Sequence, residues 1–210
     1  MEHVHVAALH QTIGLIPHGV SVHMYWYLGR SSGFVAYWLL FAAVAMGLAV
    51  SSRVFDGVLG RPWVFEVHKF LSLFVLVIMV FHALIMIPDP YAKFTFGEML
   101  VPLKSHYRSW AVSLGIVTLY GSLIISATFY LKGMIGQNLW RTVHYLTFGL
   151  FVTAMAHGLW AGTDTKVGYV QMSYFASGIA VLFLTFFRIL AARSVARKTP
   201  RAPAAGAAAA

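Results

Sequence analysis

Four of the ten histidines lie within long apolar stretches, where an imidazole is costly unless it is hydrogen-bonded or bound to a metal. His68 and His82 are 14 residues apart in one stretch, and His144 and His157 are 13 apart in another. The chain has no cysteine, which excludes disulfides, iron–sulfur clusters on thiolates, c-type haem attachment and a cysteine nucleophile. Any metal must be held by nitrogen, oxygen or thioether ligands, and neutral imidazole is a standard axial ligand of haem iron.

The spacing of these histidines predicts two facing pairs at two depths. At a rise of ~1.5 Å per residue, the separations are about 21 and 20 Å along two helices that run in the same direction. His68 is then level with His144, and His82 is level with His157, as two bis-histidine b-type haems require. The alternative is that each imidazole hydrogen-bonds a carbonyl or a serine of a neighbouring helix.

The two spacings differ in rotational phase. Fourteen residues at ~100° each bring the second histidine within about 40° of the first, whereas thirteen leave it about 140° away. We therefore expect the helix of His144 and His157 to be locally distorted, for example by a π-bulge, or to present them around its flank. Gly149 and Gly158 would allow a porphyrin to approach closely.

Five apolar stretches of about 20 residues must position these side chains. The chain is 60% hydrophobic and only 10% charged, with a mean hydropathy of +0.76, which excludes a cytosolic enzyme. We predict an all-α membrane protein, a bundle of five transmembrane helices with two b-type haems stacked across the bilayer. The five stretches are approximately residues 33–51, 67–87, 109–131, 142–161 and 169–190.

Three parts of the chain are distinguished by composition. Residues 1–29 hold five histidines and Pro17, and we expect a surface or interfacial segment there, with a sixth span as the alternative. Residues 30–192 form the predicted haem domain. Residues 193–210 begin basic and end rich in proline and alanine, which is typical of a disordered tail. The longest loop, residues 88–107, is a candidate cap or docking surface.

The net charge of +9 is explained by basic residues at the ends of the predicted spans, so it does not indicate a nucleic-acid-binding protein. Ten basic residues fall on one side of a five-helix arrangement and five on the other, so the positive-inside rule places the C-terminus in the cytoplasm and the N-terminus outside. A bacterial inner membrane is the expected location. The richer side holds Arg53, Arg61, Lys69, Lys132, Arg141, Arg188, Arg193, Arg197, Lys198 and Arg201.

The histidine stretches resemble those of the ferric-reductase-like transmembrane domain superfamily. The resemblance rests on HKFLSLFVLVIMVFH, on RTVHYLTFGLFVTAMAHGLWAGTD and on GRSSGFVAYWLLFAAVAMGLAVSS, and it extends over residues 29–190. The superfamily includes NADPH oxidases, ferric reductases and the haem subunit of the bacterial periplasmic methionine-sulfoxide reductase system. It implies a bundle that binds two haems and passes electrons across the bilayer one at a time.

Two departures from that family restrict the function that the resemblance implies. This sequence lacks the flavin and nicotinamide module with its glycine-rich turn, and Met86 stands where the oxidases have a further histidine. The resemblance therefore implies a stand-alone electron-transfer subunit of an oxidoreductase complex, with no catalytic residue of its own. Its expected partners are membrane lipids, a separate redox protein outside and a quinol or flavoprotein donor, and quinone is a further candidate cofactor.

Two other functions remain open at this point. The chain could be the cytochrome b anchor of an external dehydrogenase that reduces quinone. It could also be a haem-free transporter or proton channel that uses His82 and His157 as a relay.

Several further residues have candidate supporting roles. Arg30 and Arg141 are the best candidates to bind haem propionates, although both also suit interface anchors. Aromatic side chains between the two haem levels could bridge an electron path, and tryptophans near the span ends indicate an aromatic belt. The bridging candidates are Phe74, Phe148 and Phe151, and the tryptophans are Trp63, Trp110, Trp140 and Trp160.

Overall fold

The computed structural model describes residues 18–52 and 60–198, and within them it is helical with no strand. Helix α1 spans His18–Ser52, α2 Arg61–Ile85, α3 Phe96–Leu100, α4 Ser109–Ile135, α5 Gln137–His144, α6 Thr147–Ala161 and α7 Gly168–Lys198, with a short 3₁₀ turn at Asp164–Lys166 before α7. The all-α prediction is confirmed over these residues.

Four helices are long and apolar enough to cross a membrane. They present apolar side chains outward, as a lipid-facing surface requires: Phe70 is 64% exposed, Ile179 67% and Leu182 71%. The four candidate spans are His23–Ser52, Arg61–Ile85, Ser109–Ile135 and Gly168–Ala191.

The predicted fourth span, residues 142–161, is divided into two helices. Helix α5 ends at His144, and α6 has only 15 residues, fewer than the ~20 that a straight span needs. The backbone tightens between them, where Leu146 N donates to Val143 O at 3.0 Å and Phe148 N donates to Tyr145 O at 3.3 Å. The expected distortion is therefore an overwound turn and not the π-bulge. Each residue wound at ~120° instead of ~100° adds about 20° of rotation, which carries His157 toward the face of His144.

The first and last long helices extend beyond the predicted apolar spans. Helix α1 begins at His18, so residues 18–29 continue into the first span, and α7 runs on to Lys198. Other expectations lie outside the described residues: the rest of the N-terminal segment at 1–17 with His3, His5 and His10, the basic residue Arg53, and the tail at 199–210.

The core is built around α1. This helix packs along α2 and also contacts α6 and α7, while α4 packs against α6. The buried cluster includes Tyr37, Leu48, Val75, Phe151 and Tyr174. Tyr37 and the Ser177 hydroxyl, 2.5 Å apart, join α1 to α7 by a buried hydrogen bond. The α1–α2 pair and the α4–α6 pair therefore form the two walls that hold the histidines.

The turn between α4 and α5 requires a glycine. Gly136 has φ +82°, a backbone conformation that residues other than glycine rarely adopt. Its N–H donates to Lys132 O at 3.0 Å. This turn reverses the chain immediately before Trp140 and His144.

Candidate functional site

The four apolar-stretch histidines meet as two facing pairs. The ring centroids of His68 and His144 are 6.1 Å apart, and those of His82 and His157 are 6.3 Å apart. The ring planes are nearly perpendicular, at 82° and 74°. The spacing in the sequence thus predicted which histidines face each other: His68 faces His144, and His82 faces His157.

Helix α1 approaches α2 closely because glycines face the histidines. A Cβ on Gly33 would lie 2.8 Å from Cε1 of His82, and a Cβ on Gly47 would lie 3.1 Å from Cε1 of His68. Both distances are shorter than an ordinary carbon–carbon contact of about 3.5 Å. The two glycines are 14 residues apart, as are the two histidines, so one antiparallel register satisfies both sites.

Each of these glycines exposes a backbone carbonyl one turn earlier. The Nδ1 atom of His82 lies 2.8 Å from Gly29 O, and the Nδ1 atom of His68 lies 2.9 Å from Ala43 O. In both cases the carbonyl belongs to the residue four positions before the glycine, which is one helical turn. The glycine makes room for the imidazole ring, and the carbonyl one turn earlier accepts its Nδ1–H.

Helix α4 repeats this arrangement for His157. A Cβ on Gly115 would lie 2.7 Å from its Cε1, and its Nδ1 lies 2.8 Å from Ala111 O, again four positions before the glycine. Three of the four imidazoles therefore lie against a glycine and a carbonyl of a neighbouring helix.

These hydrogen bonds fix the tautomer of the three imidazoles. A carbonyl oxygen can only accept, so Nδ1 must carry the proton and donate it, which leaves Nε2 with a free lone pair. Metal-ligating histidines use the same arrangement, in which a hydrogen bond at one ring nitrogen orients the other toward the metal. The alternative in which each histidine hydrogen-bonds a carbonyl is therefore met at Nδ1 of these three rings. Their Nε2 atoms remain available to a ligand.

His144 differs from the other three. Its ring has no hydrogen-bond partner within residues 18–52 and 60–198, and it stacks on Trp140 with centroids 5.2 Å apart and planes at 28°. Trp140 is one of the tryptophans predicted to form an aromatic belt. Instead this side chain is half-buried and orients a histidine.

The pair separations suit one metal ion between two imidazoles. Metal–nitrogen bonds of about 2 Å, with about 1.1 Å from each nitrogen to its ring centre, give centroids about 6 Å apart for two ligands on opposite sides of one ion. No group of three or more histidine and acidic side chains that could hold a bare metal ion occurs in the described part of the chain. A two-ligand site fits a metal whose other ligands come from a macrocycle.

Each histidine pair lines a cavity of its own. The cavity at His68 and His144 has a volume of about 310 Å³ and is lined mainly by apolar side chains, with Lys69, Arg141 and Arg188 at its polar edge. The cavity at His82 and His157 has a volume of about 380 Å³. Two cavities of similar volume, each lined by one pair, provide room for a ligand beside each pair.

The loop predicted as a cap covers the second cavity. Phe94, Met99 and Tyr107 from this loop line it, and Phe94 packs with Val112 and Ile116 of α4. The loop is held by Glu98, whose carboxylate accepts from the backbone N–H of Thr95 at 2.9 Å and from Nδ1 of His106 at 2.6 Å. These donors, together with the backbone N–H of His106 and the Thr95 hydroxyl, lower the pKa of Glu98 to about 2.

Two buried polar atoms at the cavities have no partner in the described residues. Nε1 of Trp140 belongs to the wall of the His68–His144 cavity, and Oδ2 of Asp89 belongs to the wall of the other. Such groups are costly unless a ligand satisfies them. The spacing of the histidines gives no signal for either of these two polar groups.

The predicted propionate ligands lie at the cavities. Arg141 lines the His68–His144 cavity, and Arg30 lines the other. Arg30 is already engaged, because its guanidinium pairs with Asp164, with Nε 2.8 Å from Oδ2, and stacks on Trp26 at 3.9 Å.

The other predicted supporting residues divide into those at the site and those away from it. Phe151 is 2% exposed and stacks on Tyr37 at 5.7 Å, and Phe148 lines the His68–His144 cavity. Phe74 is 40% exposed and stacks on Phe70, so it faces outward.

The two glycines expected to admit a porphyrin do not contact the histidines. Gly149 has no atom within 4 Å of its Cβ position, and Gly158 lies against the Tyr174 ring. Gly158 lines the His82–His157 cavity, and the glycines that contact the histidine rings are Gly33, Gly47 and Gly115.

Comparison with known proteins found no similar protein. The chain matches no family model, no curated protein and no solved structure. The functional argument therefore rests on the geometry of the two histidine pairs.

Proposed function

We propose that this chain is a transmembrane electron-transfer cytochrome b that binds two bis-histidine b-type haems. One would lie between His68 and His144, the other between His82 and His157. The observation that carries the proposal is the pair geometry: centroids 6.1 and 6.3 Å apart, with three rings hydrogen-bonded at Nδ1 to a carbonyl. In the superfamily that the sequence resembles, such a subunit links a quinol or separate reductase to a partner protein on the other side of the membrane.

The chain's own residues would bind, orient and shield the cofactor. Carbonyls of α1 and α4 hold three imidazoles with Nε2 available, and Trp140 holds the fourth by stacking. The apolar cavity walls exclude water. When bound, haem supplies a one-electron iron couple whose potential depends on the ligands, the burial and the nearby charges.

The buried polar groups suit the carboxylates of a haem. Nε1 of Trp140 and the Arg141 guanidinium line the same cavity and would donate to a propionate there. At the other cavity Arg30 would have to share its guanidinium between Asp164 and a propionate.

A buried aromatic cluster provides a route between the two sites. Tyr37 lines the His82–His157 cavity and stacks on Phe151, and Phe148 packs against the same cluster while it lines the His68–His144 cavity. Electrons would cross the membrane through this cluster, and no bond would be made or broken in the protein.

The experiment that tests this function measures haem in the purified full-length protein. We expect two b-type haems per chain by the pyridine haemochromogen assay, with α and Soret bands that shift on reduction. His82→Ala and His157→Ala should each remove one haem and retain the other. The matched control is His23→Ala, because His23 lines neither cavity. A purified protein without reducible b-type bands would overturn the proposal and favour a haem-free transporter or channel.

A further inference from the structure

The two histidine pairs are not equivalent in how their imidazoles are held. At the His82–His157 site both rings donate Nδ1–H to a carbonyl, at 2.8 Å each. At the His68–His144 site only His68 does so, at 2.9 Å, while His144 stacks on Trp140. A hydrogen bond donated by Nδ1 makes an imidazole a stronger electron donor, which favours the oxidised metal. This difference lowers the reduction potential of the His82–His157 site relative to the other.

The charges that line the two cavities also favour a lower reduction potential at the His82–His157 site. Lys69, Arg141 and Arg188 line the His68–His144 cavity, and among residues 18–52 and 60–198 only Lys69 of these three has a carboxylate partner, Glu66 at 2.6 Å. In the same part of the chain, the one guanidinium that lines the other cavity is Arg30, which pairs with Asp164. Unpaired cations stabilise the reduced state of a nearby redox centre, so they raise its potential.

The imidazole at the second cavity's edge adds no unbalanced charge. His106 lines that cavity and its Nδ1 lies 2.6 Å from Oε1 of Glu98, whose pKa is lowered to about 2. Any positive charge on His106 is therefore matched by the carboxylate. Asp89, whose Oδ2 has no partner in the described residues, also lines this cavity. No excess of cations is found there.

From these two asymmetries we infer that the His68–His144 site has the higher reduction potential. The inference rests on the proposed function and ranks its two sites. One electron would pass between haems held at the two sites, one being oxidised as the other is reduced, and no proton would move with it.

The test is an anaerobic spectroelectrochemical titration of the purified full-length protein, with substitutions that assign each wave without removing a ligand. Arg141→Gln and Arg188→Gln should each lower the higher of two one-electron potentials and leave the lower one unchanged. The expected change in the equilibrium is no more than about tenfold, which is about 59 mV for one electron, because Arg141 is exposed and solvent screens its charge. Asp164→Asn should raise the lower potential, because it leaves Arg30 unpaired.

A matched control removes a cation that lines neither cavity. Lys104→Gln should shift neither wave, because Lys104 lies outside both cavities. The inference is overturned if the arginine substitutions lower the lower-potential wave, or if they shift neither wave. A preparation with no haem would refute the proposed function instead, so the two failures are distinguishable.

Discussion

Substitution of Gly115 by alanine should release the haem at the His82–His157 site and leave the other in place. The new Cβ would lie 2.7 Å from Cε1 and 2.8 Å from Nδ1 of His157. Relief of that overlap requires the ring to move away from α4 by about 0.8 Å, since carbon atoms pack at about 3.5 Å. The same movement lengthens the 2.8 Å hydrogen bond from Nδ1 to Ala111 O beyond the range of a hydrogen bond.

The magnitude follows from these two losses. A lost hydrogen bond costs about 1 kcal/mol, and overpacking in a well-packed site costs about 1–3 kcal/mol. Together they weaken haem binding at this site by about 2–4 kcal/mol, which is about 30- to 1,000-fold in affinity. The helix itself should not weaken, because alanine is a better helix former than glycine by about 0.5–1 kcal/mol.

The assay is haem stoichiometry per chain during titration with haem, combined with thermal unfolding. The same contact predicts a graded series in which Gly33→Ala, at 2.8 Å, resembles Gly115→Ala, and Gly47→Ala, at 3.1 Å, has a weaker effect and acts on the other site. Gly149→Ala is the matched control, because no atom lies within 4 Å of its Cβ position. If Gly115→Ala bound two haems with unchanged affinity, the argument that these glycines position the ligands would be refuted.

Three further predictions test the parts around the sites. Trp140→Phe should retain more of the His68–His144 haem than Trp140→Ala, measured by haem stoichiometry, because both variants lose the Nε1 donor and only phenylalanine preserves the stacking on His144; equal loss in both variants would contradict the role of the stacking. Tyr37→Phe should lower the stability by about 1 kcal/mol in thermal unfolding, because the hydrogen bond to Ser177 is lost while Ser177 keeps its bond to Tyr174 O; an unchanged melting temperature would argue against that bond. Because the folded-state pKa of Glu98 is depressed to about 2, its stabilising effect on the cap loop should be complete above its ordinary pKa and lost as the pH falls toward 2; hydrogen exchange of residues 95–107 measures this, and Glu98→Gln should abolish the pH dependence.

Much of the arrangement could be predicted from hydropathy and spacing. The apolar stretches predicted the helices, and the 14- and 13-residue intervals predicted which histidines face each other, because helical rise is nearly constant. The thirteen-residue interval also indicated a distortion in the second histidine helix, although the type of distortion depends on local backbone hydrogen bonds.

The environment of each imidazole was harder to predict. Gly33 and Gly47 repeat the 14-residue interval of His68 and His82, and that shared interval was the available signal. It gains meaning only once α1 is known to pack antiparallel on α2. The stacking of Trp140 on His144 depends on the turn at Gly136, and the environment of the unpaired Oδ2 of Asp89 depends on how the cap loop folds.

The most direct test of two bis-histidine haems is quantitative low-temperature electron paramagnetic resonance of the oxidised full-length protein. The nearly perpendicular imidazole planes, at 82° and 74°, leave the two iron orbitals that interact with the ligands close in energy. We therefore predict two low-spin ferric signals of the highly anisotropic type, which integrate to two spins per chain. A high-spin ferric signal, a single spin per chain or no ferric haem signal would contradict the pairing of His68 with His144 and of His82 with His157.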